Sequence, residues 1–209
     1  MLAFITAVAI AFGFIFINEL GDKTQIIILC LATRPQYSPK RLATGAVTGF
    51  AVVVTIGGLV ALLLSTFVQM DWITLASGCV FIILGSIQIM KWIKERKESH
   101  GIDLACDAEG TRKFEKRSSS FLAGFLAIVS MELGDKTQVA TILLASTSAS
   151  FLGTLVGSWA ALSVLAVIGA LAGQWIARKV PTRVMEILSS IAFVLIGTIM
   201  LVGTITALM

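Results

Sequence analysis

"INELGDKTQIII", residues 17–28, sets Glu19, Asp22 and Lys23 inside an otherwise apolar run from Met1 to Thr33. Charges in such a place are expensive, about 2.5–3.5 kcal/mol each on membrane-insertion scales. The same letters return as "SMELGDKTQVAT", residues 130–141, so that ELGDKTQ recurs unchanged at a spacing of 113. A costly feature that occurs twice in one chain needs a purpose.

The surroundings say which solvent the chain meets. Of its 209 residues 57% are hydrophobic and only 13% charged, with a mean hydropathy of +0.96. That is too little charge to cover a soluble domain, and the composition reads as an integral membrane protein. Crossing roughly 30 Å of hydrocarbon takes about 20 apolar residues. Six helices are expected on this basis, at about 2–32, 42–67, 72–92, 120–146, 151–177 and 183–207. The first run has no basic flank and no cleavage-like site, and is read as a retained helix, not a signal peptide.

Basic residues orient these helices. Arg34, Lys40 and Arg41 fall between helices 1 and 2, and eight more fall between helices 3 and 4. Arg178, Lys179 and Arg183 fall between helices 5 and 6. Of sixteen in all, this leaves only Lys23 and Lys136, inside the motifs. By the positive-inside rule these three loops are cytoplasmic and both termini lie outside. The basic pI near 9.2 is thereby a matter of topology, and nucleic-acid binding is not indicated. Cys30, Cys79 and Cys106 show no paired spacing, so neither a disulfide nor a thiolate metal site is expected. His100 lies in the charged loop.

Other segments repeat as well. Gly45 and Gly49 of "GAVTGF" find counterparts in Gly153 and Gly157 of "GTLVGS", and "SGCVFIILG" (77–85) aligns with "SSIAFVLIG" (189–197) at a spacing of 112. The Gly-x-x-x-Gly pairs are read as close helix packing. The expected organisation is a three-helix repeat over residues 1–93, a charged cytoplasmic linker over 94–119, and a second repeat over 120–209. An odd number of helices per repeat inverts the second relative to the first. An all-α membrane protein of two inverted three-helix repeats is a transporter architecture, with its site at the midplane between the halves.

On a continuous helix Glu19, Asp22 and Gln25 share a face, as do Glu132, Asp135 and Gln138. Helix 1 is longer than the hydrocarbon is thick, so a tilt or a break is expected. If the halves bring the motifs together, four carboxylates converge against two lysines, a net excess of two negative charges suited to a divalent cation. The candidate ligands are Glu19, Asp22, Thr24, Gln25, Glu132, Asp135, Thr137 and Gln138, with Lys23 and Lys136 balancing charge. This all-oxygen set favours Ca²⁺, Mg²⁺ or Mn²⁺ over Zn²⁺ or Cu⁺. Carboxylates crowded in a low dielectric also bind protons more readily, so metal and protons would compete for one set of acids. Local neutralisation of Glu19 by Lys23 and of Glu132 by Lys136 is the plainer reading, but it leaves Asp22 and Asp135 unexplained.

Two copies of Glu-x-Gly-Asp-Lys/Arg-Ser/Thr, here Glu19 to Thr24 and Glu132 to Thr137, resemble the signature of the Gdt-type cation/proton antiporters. The likeness extends over essentially the whole chain. It implies exchange of a divalent cation for H⁺ at the motif acids, and no resident cofactor or enzymatic activity. The short N-terminus looks bacterial, and the resemblance then implies Mn²⁺ export across the inner membrane, with Ca²⁺ as the alternative ion. The expected partners are the metal ion and the lipid bilayer, and a homo-oligomer is compatible with this reading. A passive cation channel and an exporter of small metabolites are the competing functions.

Overall fold

Both copies of the motif interrupt their helices. The computed structural model describes residues 1–20, 22–94, 119–177 and 182–208. In it the expected first helix is two, α1 (Leu2–Glu19) and α2 (Lys23–Ala32), followed by α3 (Pro39–Phe67) and α4 (Met70–Lys94). The second half repeats that order as α5 (Ser120–Glu132), α6 (Lys136–Thr147), α7 (Phe151–Ala177) and α8 (Thr182–Leu208). Every expected span has its helix. Nearly all of the 94–119 linker, His100 and Cys106 included, lies outside the described residues, as do Gly21, Arg178, Lys179 and the side chains of Lys23 and Arg183.

On either side of the motif glycine the two breaks share one backbone geometry. Leu20 (φ −63°, ψ 116°) and Leu133 (φ −66°, ψ 113°) leave the helix in extended conformation. Asp22 (φ −68°, ψ 164°) and Asp135 (φ −79°, ψ 168°) are the N-caps of the helices that follow. At the second break Gly134 takes φ +85°, a left-handed conformation that a side chain would resist and that commonly ends helices. The shared helical face expected for Glu19 and Asp22, or Glu132 and Asp135, therefore does not exist. Glutamate closes one helix and aspartate opens the next.

Packing crosses between the halves. α1 lies along α7, α3 along α5, and α4 along α8, while the short α2 and α6 rest on α7 and α3. Small residues permit the close crossings. A β-carbon at Gly45 would collide with the Phe121 carbonyl on α5, and one at Gly157 would meet the Val8 carbonyl on α1. Val8 and Phe121 are themselves 113 apart, so Gly45 corresponds to Gly157. This corrects the alignment of Gly45 with Gly153 by four residues. A slip of about one helical turn leaves the buried face unchanged, which is why the glycine spacing alone did not reveal it. The packing role of the four glycines stands, since each of them faces atoms of the neighbouring helix.

Phe14, Phe81 and Phe193 form an aromatic cluster where α1, α4 and α8 meet, with ring centroids 5.2–5.6 Å apart. Outside this core the helices present large apolar side chains, among them Leu59, Leu63, Trp72, Leu152 and Ile199, all more than half exposed. Such a surface suits hydrocarbon, not water. Among the described residues four helices are long and apolar enough to span a bilayer, Leu2–Glu19, Pro39–Phe67, Met70–Met90 and Phe151–Leu171. One expectation fails: Cys30 is disulfide-bonded, whereas Cys79 is free.

Candidate functional site

Each break puts two acids where helix dipoles act on them oppositely. Asp22 and Asp135 sit at helix N-termini, where partial positive charge favours an anion, and Glu19 and Glu132 at C-termini, where it is a cation that is favoured. An N-cap aspartate usually accepts from its own first turn. Neither Asp22 nor Asp135 makes a side-chain cap bond, so both carboxylates remain available to the space between the halves.

There they meet. Single carboxylate oxygens of Glu19, Asp22 and Asp135 all lie within 4.8 Å of one another, although Asp135 comes from the other half of the chain. Lys136 reaches across the same gap, its Nζ 3.0 Å from Asp22 Oδ1 and 3.7 Å from Glu19 Oε1. The local pairing of Lys136 with Glu132 that helical spacing suggests is thus replaced by an ion pair between the halves. Thr137 Oγ1 donates to Glu19 Oε1, and Thr24 faces Glu132 as a hydrogen-bond partner. The threonine of each motif serves the glutamate of the other.

Burial makes these contacts consequential. Glu19 is 4% exposed and Glu132 1%, and one oxygen of Glu132, Oε1, has no hydrogen-bond partner. A buried, unpartnered carboxylate oxygen is costly. Metal–oxygen distances of about 2.3–2.6 Å put opposite Ca²⁺ ligands about 4.6–5.2 Å apart, so oxygens within 4.8 Å of each other could share one ion. A cavity of about 20 Å³ adjoins Glu19, Thr24 and Gln25 and is closed by Ile28, Phe50 and Leu162, space for roughly one water molecule.

The two glutamines sit differently from the acids. Gln138 Oε1 accepts from the Gly134 N–H at 2.6 Å and so stabilises its own break. Gln25 lines the cavity and packs against Gly169 of α7. Asn18, outside the repeated motif, is also buried here: it is 2% exposed and immediately precedes Glu19. An amide in an apolar helix was the available signal, and the repeat obscured it because the corresponding residue is Met131.

Acids at paired helix breaks, buried between the halves of a multi-pass helical bundle, define a membrane protein of the ion-transporting class. Comparison with known proteins makes this specific. The family described as divalent cation/proton antiporter GDT1 matches the chain over residues 7–96 and 120–207. The chain is 27% identical over 204 residues to GDT1-like protein sll0615 of Synechocystis, covering 93% of this chain and 96% of that one. It is 23% identical over 206 residues to GDT1-like protein 5 of Oryza sativa subsp. japonica, covering 87% and 88%. No solved structure matches it significantly. The chain belongs to the GDT1 family of divalent cation/proton antiporters; it is a transporter and not an enzyme.

Proposed function

We propose that this protein exports Mn²⁺ from a bacterial cytoplasm in exchange for H⁺, with Ca²⁺ as the second candidate ion. The observation that carries the reading is the carboxylate cluster drawn from both halves, Glu19 and Asp22 with Asp135, beside the unpartnered oxygen of Glu132. Glu19, Asp22, Glu132 and Asp135 bind the ion; Thr24 and Thr137 orient the glutamates, and Gln25 and Gln138 supply amide oxygen at the margin. Hard oxygen ligands accept Mn²⁺ and Ca²⁺ alike, and the choice of Mn²⁺ rests on resemblance to bacterial exporters.

In this reading residues 1–93 and 120–209 are inverted repeats joined by the cytoplasmic linker 94–119, the protein sits in the inner membrane, and both termini face outward. The corresponding breaks and the crossed threonine–glutamate contacts support a two-fold relation between the halves. Coupling follows from competition. Metal on the acids displaces protons, and protons arriving from the other side displace metal.

Proteoliposomes containing the purified protein test this directly. An imposed pH gradient should drive Mn²⁺ uphill and more readily than Ca²⁺. Movement of Mn²⁺ only down its own gradient would make the protein a channel, and movement of neither ion would reject the cation assignment.

A further inference from the structure

Lys136 sits where a cation belongs. Its ammonium is 3.0 Å from Asp22 and 3.7 Å from Glu19, and those two carboxylates are also the ones clustered with Asp135. The side chain is 23% exposed, so it is largely enclosed and yet has a route of withdrawal. It passes over Glu132, four residues back at the end of α5, to reach acids of the opposite half. We propose that Lys136 is a tethered cation that occupies the metal seat when the seat is empty and must be displaced for a divalent ion to enter, and that it thereby excludes monovalent cations. The inference rests on the metal-site reading above.

The physics is one of competition between charges. An ammonium is a compact charge of +1 on a flexible stem, and a group tethered beside its site competes at an effective concentration of millimolar or more. Na⁺ or K⁺ brings the same single charge and has to shed its water to displace it. A divalent ion brings twice the charge to the same three carboxylates, so its attraction to them is about doubled. Ammonium and metal repel each other strongly at such a distance, so they alternate. The lysine leaves the seat as an intact cation, through rotation of its stem.

Binding of Mn²⁺ to the full-length protein in detergent, with and without excess Na⁺, tests the proposal in wild type and in Lys136→Gln, Lys136→Met and Lys136→Arg. The two uncharged variants should bind Mn²⁺ on the order of tenfold tighter and become sensitive to Na⁺. Lys136→Arg, which keeps the charge, should behave as wild type does. If the uncharged variants bind Mn²⁺ no tighter and stay indifferent to Na⁺, the proposal is wrong. If wild type itself binds no Mn²⁺, the metal-site reading fails first. Should the uncharged variants not fold, acylation of Lys136 in wild type decides: saturating Mn²⁺ should speed it several-fold by evicting the side chain, and an unchanged rate would overturn the proposal.

Discussion

Asp135→Asn separates a functional acid from a structural one. The substitution keeps size and shape and removes one negative charge from the three gathered within 4.8 Å. A unit charge about 4 Å from another interacts by about 4 kcal/mol at an effective dielectric of 20. Allowing for adjustment by the remaining acids, a loss of about 2.7 kcal/mol in divalent binding is expected, which is about a hundredfold in affinity. Thermal unfolding in detergent reads this out by mass action. At Mn²⁺ equal to a hundred times the wild-type Kd, the metal adds about 2.7 kcal/mol of stability to wild type and about 0.4 kcal/mol to a variant binding a hundredfold more weakly. Without metal the charge change largely cancels. Asp135 makes no side-chain cap bond, so no cap is lost, while repulsion with Glu19 and Asp22 is relieved. The metal-free variant should be about as stable as wild type, because the lost attraction of Asp135 to Lys136 and to the positive end of α6 opposes the relieved repulsion. A marked loss of metal-free stability would make Asp135 a structural cap, and an undiminished Mn²⁺ response would remove it from the site.

Other substitutions test the surrounding frame. Thr137→Val deletes the donor to buried Glu19 and should cost about 1–3 kcal/mol, with Thr137→Ser restoring most of it in the same thermal assay. Gly45→Ala and Gly157→Ala press a methyl against the carbonyls of Phe121 and Val8 and should each lower stability by about 1–3 kcal/mol. Gly13→Ala meets nothing within 4 Å and should be neutral or stabilising by up to about 1 kcal/mol; equal effects at Gly13 and Gly45 would contradict the close crossing. Gly134→Ala forces a side chain into φ +85° and should cost about 1–2 kcal/mol, with a larger effect on Mn²⁺ transport than on yield.

The long helices were legible because the bilayer demands long apolar runs. The span expected at 151–177 coincides with Phe151–Ala177, and that at 42–67 begins only three residues after Pro39. The breaks were harder to locate, since a single glycine is tolerated within helices. In retrospect Gly134, Asp135 and Gln138 spell a helix stop followed at once by a start: glycine after the last turn, an N-cap acid, and glutamine three residues on. Gln138 accepting from Gly134 N–H is a variant of that capping arrangement, and Asp22 with Gln25 presents the same letters. The reach of Lys136 to Asp22 was not legible, because local spacing shows only partners within one helix. Which residue of α3 answers which of α7 was equally hidden, as a slip of one turn preserves the glycine face.

Helix breaks change the energetic problem posed by six charges in an apolar segment. On continuous helices each acid would need a partner within its own helix. Breaking the helix at the motif moves the aspartates to N-termini, where the dipole offsets part of their cost, and leaves the glutamates at C-termini, where it adds to it. The glutamates are accordingly the acids given threonine contacts from the opposite half and the deepest burial. On the function proposed above, these partly satisfied acids are completed by a cation or a proton. A site built this way is stable in more than one state of occupancy and fully satisfied in none without a cation or a proton. That is the condition an exchanger needs: each occupant has to bind well enough to expel the other and weakly enough to be expelled in turn.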